Sequence, residues 1–294
     1  MIEAKIIADS EHYQTGTRLT TFEVSFPRWV LAEFNTHRQL SRNSASSRAI
    51  PIKSNIENIY NDTAMPVHWG LNQPGMVADS EANVETVHKA KEIWLKARDS
   101  AIAFATELSD LGIHKQIANR LIENFTYQKV IVTATEWSNF FWLRNHKDAQ
   151  PEIKELAEKM YEEYKNSVPS VLSEGEWHVP YFEDGYWTPN SKTPLEDALK
   201  ISASCCAQVS YRKQDDSLEK AIKVFNMLNL DNEDDDVRMH SSPIEHQGTP
   251  INVSNASAVS AYISHIDSKL NFCSGNFKDF VQYRKMFKNE CHSE

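Results

Sequence analysis

Thirteen consecutive residues, Thr36 to Arg48, hold one imidazole, three guanidiniums, two carboxamides and five hydroxyls, with no acidic residue and only Leu40 and Ala45 apolar. Such a run cannot bury itself, because each buried donor or acceptor needs a partner. It can instead surround something anionic. Arg38, Arg42 and Arg48 carry forked donors that match a phosphate at two points, and Ser46-Ser47 adds hydroxyls beside adjacent backbone N–H groups. The ligand this points to is a phosphorylated small molecule. A solvated basic loop and a nucleic-acid patch have the same composition, so composition alone leaves all three open.

Two further regions hold side chains of similar promise. In Asn139-Phe140-Phe141-Trp142-Leu143-Arg144, followed by Asp148-Ala149-Gln150-Pro151-Glu152-Ile153, Arg144 either serves a ligand or caps a helix end and pairs with Asp148. Ala207-Gln208-Val209-Ser210-Tyr211 and His240-Ser241-Ser242-Pro243-Ile244-Glu245-His246 come later. His240, Glu245 and His246 are metal-capable types, but no third ligand stands at a recognised spacing, and no metal is expected.

The spacing in these regions carries a resemblance. His37, Arg38, Ser41, Asn43, Ser46 and Arg48 stand in register with the signature of flavin-dependent thymidylate synthases, Arg-His-Arg-x-x-Ser-x-Asn-x-x-Ser-x-Arg, with Thr36 in place of its first Arg. The Leu143-Arg144 pair and the Ala149-Gln150-x-Glu152-Ile153 run resemble the family's second block. The two late stretches resemble its Ala-Arg-Val-Ser-Phe and His-x-Thr-Pro-Phe-Glu-His blocks, with Gln208 for Arg and Ser242 for Thr. In the family the late blocks come first. Their position here implies a circular permutation, with a family C-terminal part at 18–170, a linker at 173–194, a family N-terminal part at 195–246 and a C-terminal extension at 247–294, all in one domain. Stretches 1–17 and 50–80 contain no family block.

The resemblance implies an α+β fold, an antiparallel sheet with flanking helices. It implies FAD-dependent reductive methylation of dUMP to dTMP, with methylenetetrahydrofolate and NADPH as co-substrates. Arg144 would stabilise charge on the pyrimidine. Glu33, where the family commonly has Gln, would lie beside the nucleotide, and Ser46, Ser47 and Arg48 would hold its phosphate, with Arg120 from another subunit. FAD would be held by His37, Arg38, Asn43, Asn139, Ser210, His240, Ser242 and Glu245. Family active sites form between subunits of a homotetramer, so the same is expected here. A pyrimidine nucleotide hydroxymethylase and a non-catalytic flavin or nucleotide sensor are the alternatives.

Composition and patterning set the frame for these residues. A net charge of −10 disfavours nucleic acid and anionic membranes as partners and suits a focused small-anion site. Cys205, Cys206, Cys273 and Cys291 form no CxxC, and residues 1–10 look unlike a signal peptide, so reduced thiols and a cytoplasmic location are expected. Alternation predicts two strands within 1–26 and a helix opened by Pro27, with Val30, Phe34 and His37 on one face. Residues 50–80 read as a long irregular loop in which His68 and Trp69 pack. Helices are predicted at 83–108 (apolar side Val87, Trp94, Ala101, Phe104 and Leu108), 113–125 (Ile117, Leu121 and Ile122 inward), 149–168, 195–209, 217–228 and 277–287. Residues 130–141 fit strand or buried helix. Residues 173–194 read as a loosely packed surface connection, 231–236 as an acidic loop, and 247–270 as unassigned.

Overall fold

Alternation at Phe22, Val24 and Phe26 gives one strand an apolar face, and that strand is the centre of the molecule. The computed structural model describes residues 1–210, 214–228, 230, 240–288 and 290. Strands β1 (Glu3–His12) and β2 (Arg18–Pro27) form a hairpin. A 3-10 turn at Arg28–Val30 and the single-turn helix α1 (Leu31–Phe34) follow, then β3 (Ser41–Ser44). Helices α2 (Ile52–Asn61), α3 (Val84–Asp110) and α4 (Lys115–Ala118) lead through a 3-10 stretch, Asn119–Phe125, into β4 (Tyr127–Ala134). Helices α5 (Ser138–Arg144) and α6 (Pro151–Asn166) precede β5 (Ser170–Leu172). The main sheet has the order β3-β4-β2-β1-β5, antiparallel except for the short parallel β1–β5 edge.

The two faces of this sheet are covered by different parts of the chain. On one face Phe22, Val24, Phe26, Val130 and Val132 pack against Ile153, Leu156, Ala157 and Met160 of α6 and the aromatic rings of α5. Full burial of side chains of this size contributes about 1.5–3 kcal/mol each. The opposite face carries Leu19, Thr21, Ile131 and Thr133, and it receives the second half of the chain. That half holds β6 (Trp177–His178), β7 (Tyr186–Trp187), α7 (Leu195–Ala207), α8 (Leu218–Asn226) and β8 (Gly248–Pro250). It ends with β9 (His265–Ile266), β10 (Phe272–Ser274), β11 (Phe277–Lys278) and β12 (Phe280–Gln282). Two small sheets have the orders β12-β8-β6-β7 and β11-β10-β9.

A buried hydrogen-bonded chain joins the halves. Ser10 Oγ meets His178 Nδ1 at 2.8 Å, and His178 Nε2 meets Thr21 Oγ1 at 2.8 Å. Thr21 Oγ1 meets Thr133 Oγ1 at 2.7 Å, and Thr133 Oγ1 meets His246 Nδ1 at 2.8 Å. Both imidazoles are fully buried, and burial holds each down at about 3.

Several expectations are corrected. The helix after Pro27 ends at Phe34, so His37 lies beyond it and residues 41–44 become an edge strand paired to β4. Val30 and Phe34 are buried as read. Residues 50–80 contain α2, whose Ile52, Ile56 and Ile59 form a helical stripe; flanking prolines and glycines hid it. Phe104, Ile117 and Leu121 are exposed, while Ile102, Ala105, Ala118 and Ile122 are buried, because α3 and the segment after it meet a neighbour along one narrow line only. Residues 173–194 are not loosely packed: Trp177, His178, Val179 and Phe182 are buried. Gly185, at φ +90°, lies so close to the β1 backbone at Ala8 that a Cβ would collide with it. Residues 277–287 form two strands and a 3-10 turn (Tyr283–Met286) in place of a helix; Asp279 at φ +58° forces a reversal there. Residues 247–270 supply β8, a 3-10 stretch at Val253–Tyr262 and β9. Tyr211, the acidic loop at 231–236 and Cys291 lie outside the described residues. Among the described residues, no helix is long and apolar enough to cross a membrane.

Candidate functional site

Four clusters radiate from residues 33–48. The first centres on Arg144, the last residue of α5. Its Nε donates to His37 Nε2 at 2.9 Å, its Nη1 pairs with Glu33, and its Nη2 lies 3.4 Å from Thr36 Oγ1. Burial, helped by the charges of Arg144 and Arg42, holds the His37 imidazole down at about 4. The ring is therefore neutral at pH 7, accepts at Nε2 and carries its proton on Nδ1. Phe140 meets its edge at 4.9 Å between centroids. A guanidinium has five N–H groups, and these three partners leave two for a ligand. Arg144 does not pair with Asp148.

The second cluster is cationic. A cavity of about 360 Å³ is lined by Arg38, Arg42, Arg284 and Lys285, with Glu245 as its carboxylate. Arg42 also donates to the His37 carbonyl at 3.0 Å. Glu245 pairs with Arg284; burial pushes its carboxyl up, while Arg284 and Arg42 oppose the shift. This donor set fits the diphosphate of the expected dinucleotide, because fixed guanidiniums in a partly enclosed space match phosphate oxygens.

The third cluster joins the basic stretch to the late motifs. Asn43 Nδ2 donates to the Cys206 carbonyl at 2.5 Å, and Ser242 Oγ donates to Asn43 Oδ1 at 3.1 Å. The Ser46 N–H donates to Ser210 Oγ at 2.8 Å. Ser242–His246 thus lies beside both the basic stretch and, through His246, the Thr20–Thr21 end of β2. Asn43 and Ser242 bond to each other and Ser210 to the Ser46 backbone, as a frame for the loops.

The fourth cluster surrounds Glu123. Its Oε1 accepts from Ser47 Oγ at 2.7 Å and from Arg120 at 3.0 Å, and lies 3.2 Å from Arg28. The resemblance implies Arg120 from another subunit; within one chain it shares the Glu123 carboxylate with Ser47. Arg48 is exposed and has no hydrogen-bond partner among the described residues. Two expected residues stand apart. Asn139 is exposed on α5, roughly 140° around the helix from Arg144 at 3.6 residues per turn. His240 is exposed, and its backbone N–H bonds to the Leu228 carbonyl at 2.9 Å.

Sequence reasoning missed Glu123, Asn276, Gln282, Arg284 and Lys285. The last three lie within the terminal helix that the sequence predicts at 277–287, where a Gln-x-Arg-Lys pattern reads as a solvated face. The one available signal is the adjacent pair Arg284-Lys285 in an acidic chain.

Comparison with known proteins bears on this arrangement. The family model for the thymidylate synthase complementing protein matches residues 7–170, a span that includes 50–80 and ends before the late motifs. Solved structures of a UMP/dUMP methylase, PolB, from Streptomyces cacaoi are similar. The complex with 5-Br dUMP is 17% identical with a TM-score of 0.47, covering 56% of this chain and 90% of that one. The complex with 5-Br UMP is 19% identical with a TM-score of 0.48, covering 56% and 88%. The search of curated proteins found no match. With more than half of its residues matched, the chain belongs to the thymidylate synthase complementing protein family, the flavin-dependent thymidylate synthases, and is an enzyme of the thymidylate synthase type.

Proposed function

We propose that this enzyme methylates dUMP at ring carbon 5, taking the carbon from methylenetetrahydrofolate and reducing equivalents from NADPH through FAD. The observation that carries this reading is the convergence on residues 33–48 of Arg144, the cationic cavity and the late motifs. FAD, when bound, supplies the hydride that completes the methyl group. The chain's own residues bind, orient and polarise. Arg144 meets the pyrimidine with its two remaining N–H groups and stabilises negative charge as it develops there. Glu33 and neutral His37 fix the guanidinium plane, so no reorganisation is needed when that charge appears. Ser46, Ser47 and Arg48 take the phosphate, with Arg120 beside them. His37, Arg38, Asn43, Asn139, Ser210, His240, Ser242 and Glu245 are assigned to FAD. Asn139 and His240 face outward, which supports a site completed by a second copy in a homotetramer.

A circular permutation is part of the same proposal. The bonds Ser242–Asn43, Ser46–Ser210 and Thr133–His246 support it, since they bring the late motifs beside the basic stretch and β4. Chain ends of a domain often lie close enough for such a rearrangement. The test is turnover of dUMP with methylenetetrahydrofolate, NADPH and FAD, with the product identified by mass. dTMP supports the proposal. A product heavier by one oxygen assigns hydroxymethylation, and no product with FAD bound overturns the assignment of substrate.

A further inference from the structure

The cationic cavity has two walls, and only one belongs to the signature. Arg38, Ser41 and Arg42 form the first. The second comes from residues 275–285, beyond the matched span, and its centre is Gln282. This side chain is 2% exposed, and its Nε2 lies 3.0 Å from each of Ser41 Oγ, Asn276 Oδ1 and the Glu245 carbonyl. One carboxamide thus ties the signature strand β3 to the turn that holds Glu245. Asn276 reinforces the tie by accepting from Ser41 Oγ at 3.0 Å and donating to the Gln39 carbonyl at 2.8 Å. Gly275, at φ +58°, makes room for it: a Cβ there would collide with Gln282 Oε1.

Charge on this wall is arranged as deliberately as its hydrogen bonds. Arg284 pairs with Glu245, and its Nε and Nη2 are held by Glu290 at 3.1 and 2.8 Å. Lys285 Nζ lies 2.5 Å from Glu290 Oε1 and is partly exposed to the cavity. Four cations, Arg38, Arg42, Arg284 and Lys285, stand against two carboxylates, Glu245 and Glu290. The excess of two positive charges matches the two charges of a diphosphate.

We propose that residues 275–285 are the second wall of the FAD cradle, with Gln282 and Arg284 as positioning residues and Lys285 as a direct ligand of the cofactor's diphosphate. The proposal rests on the FAD assignment above. Gln282 sets the separation between Ser41 and Glu245, and so the width of the cavity. Lys285 exchanges Glu290 for phosphate oxygens when the cofactor enters.

Binding distinguishes this from a merely structural staple. FAD and riboflavin, which lacks phosphate, are titrated into the full chain by flavin fluorescence quenching, with circular dichroism to confirm folding. Gln282→Met, which keeps volume and removes the donor, is expected to weaken FAD about tenfold or more, in line with a lost buried hydrogen-bond partner. Lys285→Ala is expected to weaken FAD about tenfold while leaving riboflavin unchanged, and to flatten the salt dependence of FAD binding. Folded variants that bind FAD as the wild type does overturn the proposal. Should Gln282→Met fail to fold, the partly exposed Lys285 decides alone. Wild-type protein that binds no FAD overturns the cofactor assignment itself, a result distinct from unchanged variants.

Discussion

Lowering the pH should unfold this protein from the inside, through His178 and His246. Both imidazoles are fully buried in the chain Ser10–His178–Thr21–Thr133–His246, and both are held at about 3 against an ordinary 6.5. Between those values the unfolded chain takes up a proton at each histidine that the folded chain refuses. Stability is therefore full above about pH 6.5 and is lost as pH falls toward 3, by about 1.4 kcal/mol per pH unit per histidine. From pH 7.5 to pH 5.0 each costs about 2 kcal/mol, and the pair about 4 kcal/mol, a large part of a typical 5–15 kcal/mol. The assay is urea unfolding at several pH values and one protein concentration, for wild type and for His178→Gln/His246→Gln. The wild type should lose about 4 kcal/mol over this range, and the double variant should start lower but fall with a much shallower slope. A wild-type curve that is flat from pH 7.5 to 5.0, or a double variant with the wild-type slope, refutes the reasoning.

Three substitutions test the site. Arg144→Ala should lower the rate of tritium release from 5-tritiated dUMP on the order of 100-fold or more while FAD stays bound, because the lost donors act on charge that develops during reaction. Arg48→Ala should weaken dUMP binding about tenfold by calorimetry, through the lost phosphate fork. Glu123→Gln should strengthen dUMP binding several-fold, because the carboxylate now occupies Ser47, Arg120 and Arg28, donors that a phosphate would use; unchanged affinity would show that the phosphate sits elsewhere.

What the sequence made legible follows from how local each signal was. The basic stretch and Arg144 stand out because their polarity has no use inside a core, and the structure does bring Arg144 to Glu33 and His37. The β1–β2 hairpin, α3 and α6 have clean periodicity and form where read, to within a few residues. The failures at residues 41–44, His178 and Gln282 share one cause, long-range pairing. Residues 41–44 form a strand only because β4 offers an edge, and nothing within Ser41-Arg42-Asn43-Ser44 shows that. His178 lies in a stretch rich in Gly, Pro and aromatics, which resembles a surface loop until the opposite face of the main sheet covers it. Gln282 and Arg284 act on Ser41 and Glu245, partners 241 and 39 residues away in sequence. Only the fold puts such residues together.

On the function proposed above, one nucleotide site and one flavin site share the stretch from Glu33 to Arg48. The most direct measurement is tritium release from 5-tritiated dUMP by the purified chain, with and without FAD, in the presence of methylenetetrahydrofolate and NADPH. Release is expected to require FAD and to fall about 100-fold or more in Arg144→Ala. Release that proceeds equally without FAD, or is retained in that variant, would contradict that function.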